Sequence, residues 1–192
     1  EGKNMKLNLK GDLWDLKKGI DLLSEDYSFE LSGDGIPVKV SGESGSGLKV
    51  GYKDGEGYIK FEDKIHFFRG LGLFLENFEP DKNFSIVEEP QFDTSGVMVD
   101  CSRNAVMKVD TIKKLLRKMA VMGLNMVMLY TEDTYEIEGE PFFGYMRGRY
   151  SQEELKECDN YAEIFGIEMI PCIQALAHLE RALQWDEYSD IK

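Results

Sequence analysis

Residues 96–133, GVMVDCSRNAVMKVDTIKKLLRKMAVMGLNMVMLYTED, constrain the fold more than any other stretch of the chain. A short apolar run at 97–99 ends in Asp-Cys-Ser-Arg. Val109, Ile112, Leu115, Leu116, Met119 and Met122 then recur at three- and four-residue steps, the period of a helix buried along one side. Gly123 is a natural helix stop. A second apolar run at 126–130 ends in Thr131-Glu132-Asp133. Strand, helix, strand at this spacing is a βαβ unit, because two parallel strands need such a crossover. Both runs end in charged residues. Asp100, Arg103, Glu132 and Asp133 therefore collect at one rim of the sheet, the rim where parallel α/β folds bind ligands.

The rhythm continues downstream. A long loop at 132–150 leads to a helix at 151–165, opened by Ser151 with Glu154 three residues on, a capping box. Gly166 ends it, a third strand follows at 167–173, and 175–185 reads as helical. Three βα units predict the start of a (β/α)8 barrel, since a complete barrel takes about 250 residues.

The first part reads differently. Strands are expected at 5–9, 29–31, 38–40 and 84–87, and helices at 12–23 and 64–78. Asp54-Gly55 lies between two β-rich runs and predicts a hairpin. The glycine-rich run 41–47 lacks the Gly-Lys-Ser/Thr ending of a phosphate loop and reads as a flexible turn. These elements predict helices on a small, mainly antiparallel sheet. With the boundary at 91–95, the chain divides into an α+β domain, 1–93, and the opening portion of a barrel, 94–192. Residues 1–4 read as a cloning remnant, which leaves room for a leader ahead of them.

Charge and cysteine usage narrow the function. Against 23 Lys+Arg stand 36 Asp+Glu, a formal net charge of −13, which disfavours broad contact with nucleic acid or anionic membrane. A neutral sugar is compatible with it. No apolar run approaches a membrane span. Cys101, Cys158 and Cys172 are odd in number and lack a C-x-x-C spacing. They read as buried free thiols in a reducing compartment, the cytoplasm.

Each candidate site residue has a bland reading beside the functional one. Asp100 and Arg103 form either a local ion pair leading into the helix or a site where the Arg fork meets vicinal hydroxyls. Glu132 and Asp133 are either a solvated acidic turn or acids that accept hydroxyl protons or steady a catalytic acid. Phe142, Phe143 and Tyr145 of the long loop either fold back on the domain or stack on a sugar face. His178, which follows the third strand at the same rim, is either a structural histidine or a member of the site. His66, on an apolar helix, reads as a packed histidine, and Asp186-Glu187 as a surface turn.

The second part resembles the start of the catalytic barrel of glycoside hydrolase family 20, the β-N-acetylhexosaminidases. VDCSRN is similar to the family's first strand ending, LYTED to its second, and RYSQEELKECDNYAEIFGIEMIP to the helix and third strand before the family's histidine. The first part resembles the small α/β domain preceding many such barrels, with FFRGLGLF on its helix. One departure stands out: Pro171-Cys172-Ile173-Gln174-Ala175-Leu176-Ala177-His178 replaces the common Pro-Glu-Ile-Asp-Met-Pro-Gly-His. The resemblance implies substrate binding by Arg103, Glu132, Asp133 and His178, with no metal and no cofactor. It implies exo-acting, retaining hydrolysis of terminal N-acetylhexosamine, in which the substrate's acetamido oxygen attacks the anomeric carbon. The Asp-Glu pair that orients the acetamide and supplies the acid follows the family's fourth strand, so no catalytic residue is expected within this chain. These residues alone are expected to be inactive, and to self-associate through open strand edges. The alternative is a non-catalytic carbohydrate-binding or assembly module.

Overall fold

The computed structural model describes residues 5–45, 47–103, 105–175 and 177–191; the remnant expected at 1–4 lies outside the described residues. Two compact units make up the chain. One comprises Glu1–Ser95, Leu116–Asn125 and Ile164–Ile167; the other, Gly96–Leu115, Met126–Glu163 and Glu168–Lys192.

The first unit contains β1 (Met5–Gly11), α1 (Lys17–Asp26), β2 (Phe29–Leu31), β3 (Ile36–Gly42), β4 (Leu48–Lys53), β5 (Glu56–Phe61), α2 (Lys64–Asn77) and β6 (Phe84–Glu88). Its sheet has the order β2-β1-β3-β5-β4-β6. The expectation of a mainly antiparallel sheet is corrected here. β1 runs parallel to β2 and β3, and β3 parallel to β5; only β4 pairs antiparallel, with β5 and β6. The reason is the hairpin. Asp54 and Gly55 take φ of 51° and 92°, the left-handed pair of a two-residue turn whose twist matches its strands. That turn folds β4 outward and leaves β5 alongside β3 in the same direction.

Leu7, Val38, Val40, Leu48, Val50 and Ile59 are buried in this unit, as are Ile65, Phe67, Phe68, Leu71 and Phe74 of α2. Each large side chain removed from water contributes about 1.5–3 kcal/mol. The Phe68 ring meets Phe67 edge-on at 5.2 Å and Phe165 at 5.1 Å. Gly19 weakens α1 by propensity, yet a Cβ there would lie 2.3 Å from Phe68 Cζ; the glycine admits the ring. His66 Nδ1 accepts the Asp63 backbone N–H at 3.2 Å, a helix-start contact that accounts for the histidine without chemistry.

The second unit is built on β7 (Gly96–Asp100), β8 (Met126–Thr131) and β9 (Glu168–Ile173), parallel throughout in the order β7-β8-β9. α3 (Val109–Met122), which the second unit contains only as far as Leu115, and α4 (Gln152–Glu163) form the crossovers. Ser151 and Glu154 cap α4 reciprocally: the Ser151 N–H donates to Glu154 Oε2 at 3.0 Å, and the Glu154 N–H to Ser151 Oγ at 3.2 Å. Gly123, at φ 76°, ends α3 with its N–H on the Ala120 carbonyl and that of Leu124 on Met119.

Register sorts the side chains. Val97, Val127 and Met169 share one face, and Met98, Met128 and Ile170 the other. Val127 and Leu129 are buried, whereas Met98 is 61% exposed. Asp100, Tyr130 and Cys172 lie in one row on the Met98 face, at the C-terminal ends of the strands. The helix expected at 175–185 is shorter: α5 spans Glu180–Leu183, and a 3₁₀ helix follows at Asp186–Ile191. His178 takes φ 63°, a left-handed conformation that no helix continues through. Among the described residues, no helix is long and apolar enough to cross a membrane.

Candidate active site

The C-terminal ends of β7, β8 and β9 gather the candidate residues within the second unit. Ser102 closes a tight turn after β7: Asp100 Oδ1 accepts its backbone N–H at 2.8 Å and its hydroxyl at 2.7 Å. These two bonds, with the Arg103 charge adding, hold the Asp100 carboxyl below its usual range. Arg103, which the sequence allowed to pair with Asp100, reaches across the rim instead. Its Nη2 lies 3.3 Å from Glu132 Oε1 and 3.4 Å from His178 Nδ1. A guanidinium only donates, so His178 Nδ1 is the acceptor in that contact. Three of the four predicted binding residues thus meet at one cation, contributed by the ends of three different strands.

Asp133 has another partner. Arg147 Nη1 lies 2.9 Å from Asp133 Oδ1. Nothing in the pattern of the sequence singled out Arg147; the signal for it was its place between Gly144 and Gly148 in a loop too long to be a plain connection. The two pairs differ in access. The side chains of Glu132 and Asp133 are both 3% exposed, but Arg103 is 65% exposed and Arg147 only 15%. The bland reading of a solvated acidic turn is therefore excluded: Glu132 and Asp133 are buried. Neither ion pair has hydrogen-bond alignment, and Glu132 Oε1, Asp133 Oδ1 and Thr134 Oγ1 lack a hydrogen-bond partner among the described residues. Three successive buried polar side chains in that state carry a desolvation cost that folding alone gives no reason to keep.

The loop after β8 is pinned at both ends. Tyr135 pairs with Tyr150, the Glu136 N–H donates to the Tyr150 carbonyl at 2.9 Å, and the Tyr150 N–H to that of Thr134 at 3.1 Å. The Tyr150 hydroxyl donates to the Met107 carbonyl at 2.7 Å. Phe143 stacks inward, edge-on to Tyr135 at 5.1 Å. Phe142 and Tyr145 are exposed, and Tyr145 meets Trp185 edge-on at 5.2 Å. Of the loop aromatics, Phe143 folds back on the domain, while Phe142 and Tyr145 form part of the surface. Cys101 and Cys158 are buried and Cys172 is partly so, all as free thiols.

Parallel strands joined by helical crossovers, with buried acids and an exposed arginine at their C-terminal rim, form the opening of a (β/α)8 barrel. Residues 92–191 match the family model described as glycosyl hydrolase family 20, catalytic domain. The chain belongs to that family. It is 24% identical over 176 residues to the probable beta-hexosaminidase fdl of Drosophila melanogaster, covering 85% of this chain and 25% of that protein. A probable beta-hexosaminidase of Arthroderma benhamiae is 24% identical over 165 residues, with 81% and 25% covered. Among solved structures, the GH20 β-N-acetylhexosaminidase from Streptomyces coelicolor A3(2) superposes with a TM-score of 0.73 at 17% identity, over 95% of this chain and 44% of that one. The GH20 exo β-N-acetylglucosaminidase from Vibrio harveyi gives 0.72 at 19%, over 95% and 35%. The chain spans about a quarter of the length of the curated relatives it matches.

Proposed function

We propose that this chain supplies the terminal-sugar end of an exo-acting, retaining β-N-acetylhexosaminidase site. The observation that carries the reading is the convergence of Arg103, Glu132 and His178 on one strand-end rim. Arg103 is anchored on one side and open to solvent on the other, so its remaining N–H donors are free to take two vicinal hydroxyls of a sugar. Glu132 sets the direction of that fork and accepts a hydroxyl proton. The relatives' hexosaminidase activity supports N-acetylhexosamine as the sugar. Its acetamido oxygen attacks the anomeric carbon while the glycosidic oxygen leaves with a proton, and no protein atom bonds to the sugar. The proton donor comes from a further strand of the barrel, so residues 1–192 alone do not turn over substrate. Open strand edges and the exposed Met98 face support self-association of the isolated chain. Its free thiols support a reducing compartment such as the cytoplasm.

The test is Arg103→Ala in the whole protein, assayed on a chromogenic β-linked N-acetylhexosaminide. Losing a charged donor to substrate costs about 1.5–3 kcal/mol, roughly tenfold to more than a hundredfold in kcat/KM, with a thermal midpoint near wild type. Near-normal kinetics in a folded variant sinks the assignment. Sugar binding without turnover by the whole protein favours a carbohydrate-binding module. The same assay on the isolated chain, with sedimentation, tests its inactivity and its association.

A further inference from the structure

We propose that Arg147 is a positioning residue for the sugar-binding rim: it neutralises and fixes Asp133 so that Glu132 holds Arg103 undisturbed. This rests on the function proposed above. Asp133 follows Glu132 directly, and each buried carboxylate has an oxygen that meets its arginine as an ion pair without hydrogen-bond alignment. Two buried anions on adjacent residues repel each other through a low-dielectric interior, and each draws on any nearby cation. Arg103 already serves Glu132 and His178 through a single nitrogen. Without Arg147, the Asp133 carboxylate competes for Arg103, the group that the substrate needs.

The loop that delivers Arg147 is built for the purpose. Gly144, at φ 66°, packs so closely that a Cβ would lie 2.0 Å from the Asp133 carbonyl oxygen. Met146 is left-handed, at φ 59°, and the Arg147 N–H donates to the Gly144 carbonyl at 3.1 Å. The Arg149 Nη1 donates to the Phe143 carbonyl at 2.5 Å, closing the loop on itself. Gly148 fits against Val106, with a Cβ position 3.2 Å from the Val106 Cβ. A tight, strained turn thus returns the chain onto the end of β8 and sets one guanidinium against one buried acid. Positive-φ residues outside glycine are costly and persist where the surrounding structure over-determines the backbone.

The experiment uses the whole protein and three variants: Arg147→Met, Arg147→Lys and Arg147→Met/Asp133→Asn. Activity of wild type on the chromogenic N-acetylhexosaminide comes first; its absence defeats the function proposed above and not the role of Arg147. A purely structural ion pair lowers the amount of folded enzyme, reducing apparent kcat at constant KM. A positioning role raises KM in the folded fraction, because a misaligned rim binds the sugar less well. We expect KM to rise about tenfold to a hundredfold in Arg147→Met, and less in Arg147→Lys, which keeps the charge. The double variant removes both charges and guards against a single variant that fails to fold; its stability recovers while KM stays below that of Arg147→Met, because Asp133 no longer competes for Arg103. Unchanged KM in folded Arg147→Met overturns the proposal. So does a double variant whose KM is as high as that of the single one.

Discussion

The two units bury different things. The first encloses hydrocarbon: its buried side chains are chiefly Leu, Ile, Val and Phe of the sheet and of the helical segments packed on it. Its Arg69 is satisfied, with Nε and Nη2 on Glu88 at 3.0 and 2.8 Å and Nη1 on the Val121 carbonyl at 3.3 Å, beside a cleft of about 630 Å³. The second unit holds every buried polar or charged residue among those described: Ser102, Thr131, Glu132, Asp133 and Thr134. All lie at or just after the C-terminal ends of β7 and β8. The contrast separates a region selected to be stable from one that tolerates desolvated charge. Interiors that bury unpaired oxygens lose stability, and they keep such groups where ligands or neighbouring charges use them.

The largest effect that tests this contrast is in the first unit. Phe68→Ala empties a site between Phe67, Phe165 and α1, and should cost about 3–5 kcal/mol in urea unfolding. A loss below about 1 kcal/mol would mean that the aromatic cluster collapses freely and is not the unit's keystone.

A smaller effect is expected in the second unit, from a position with no apolar burial at all. Gly144→Ala should destabilise by about 1–3 kcal/mol, because a positive φ and the Asp133 carbonyl both exclude a Cβ. Gly139, in the same loop at φ 83°, has nothing within 4 Å of a Cβ, so Gly139→Ala should cost less. Equal thermal midpoints for the two variants would show that close approach to β8 does not matter.

The smallest effect is visible only at high pH. Burial, with the Glu157 charge adding, pushes the Cys158 thiol from 9.0 up to about 11. The folded state therefore keeps its proton where the unfolded chain releases it. The stabilisation is fully present below pH 9 and is lost as pH rises through about 11. Cys158→Ala should flatten this part of the pH–stability curve, read from urea midpoints across the window. Parallel curves for wild type and variant would assign the alkaline loss elsewhere.

Much of the fold is written in local pattern. The βα rhythm, the Ser151–Glu154 cap, the Asp54-Gly55 hairpin and the Gly123 stop are all short-range consequences of period, capping and left-handed backbone. Strand ends that carry acids and an arginine already marked the rim, and the order of VDCSRN, LYTED and the third strand pointed to the family. Parallel pairing in the first sheet was not legible, because pairing direction depends on where a hairpin folds and not on the strand's own residues.

The site shows the same division. From the sequence alone came the membership of Arg103, Glu132, Asp133 and His178 in one strand-end set, since each follows an apolar run at the same end of a parallel strand. Tertiary structure alone decided who pairs with whom. Arg103 left its neighbour Asp100 for Glu132 and His178, and Asp133 turned to Arg147, fourteen positions along the chain. The physical reason is that charges pair by distance and desolvation in three dimensions, and a loop closed by Gly144, Arg149 and Tyr150 sets those distances through contacts that no periodicity encodes.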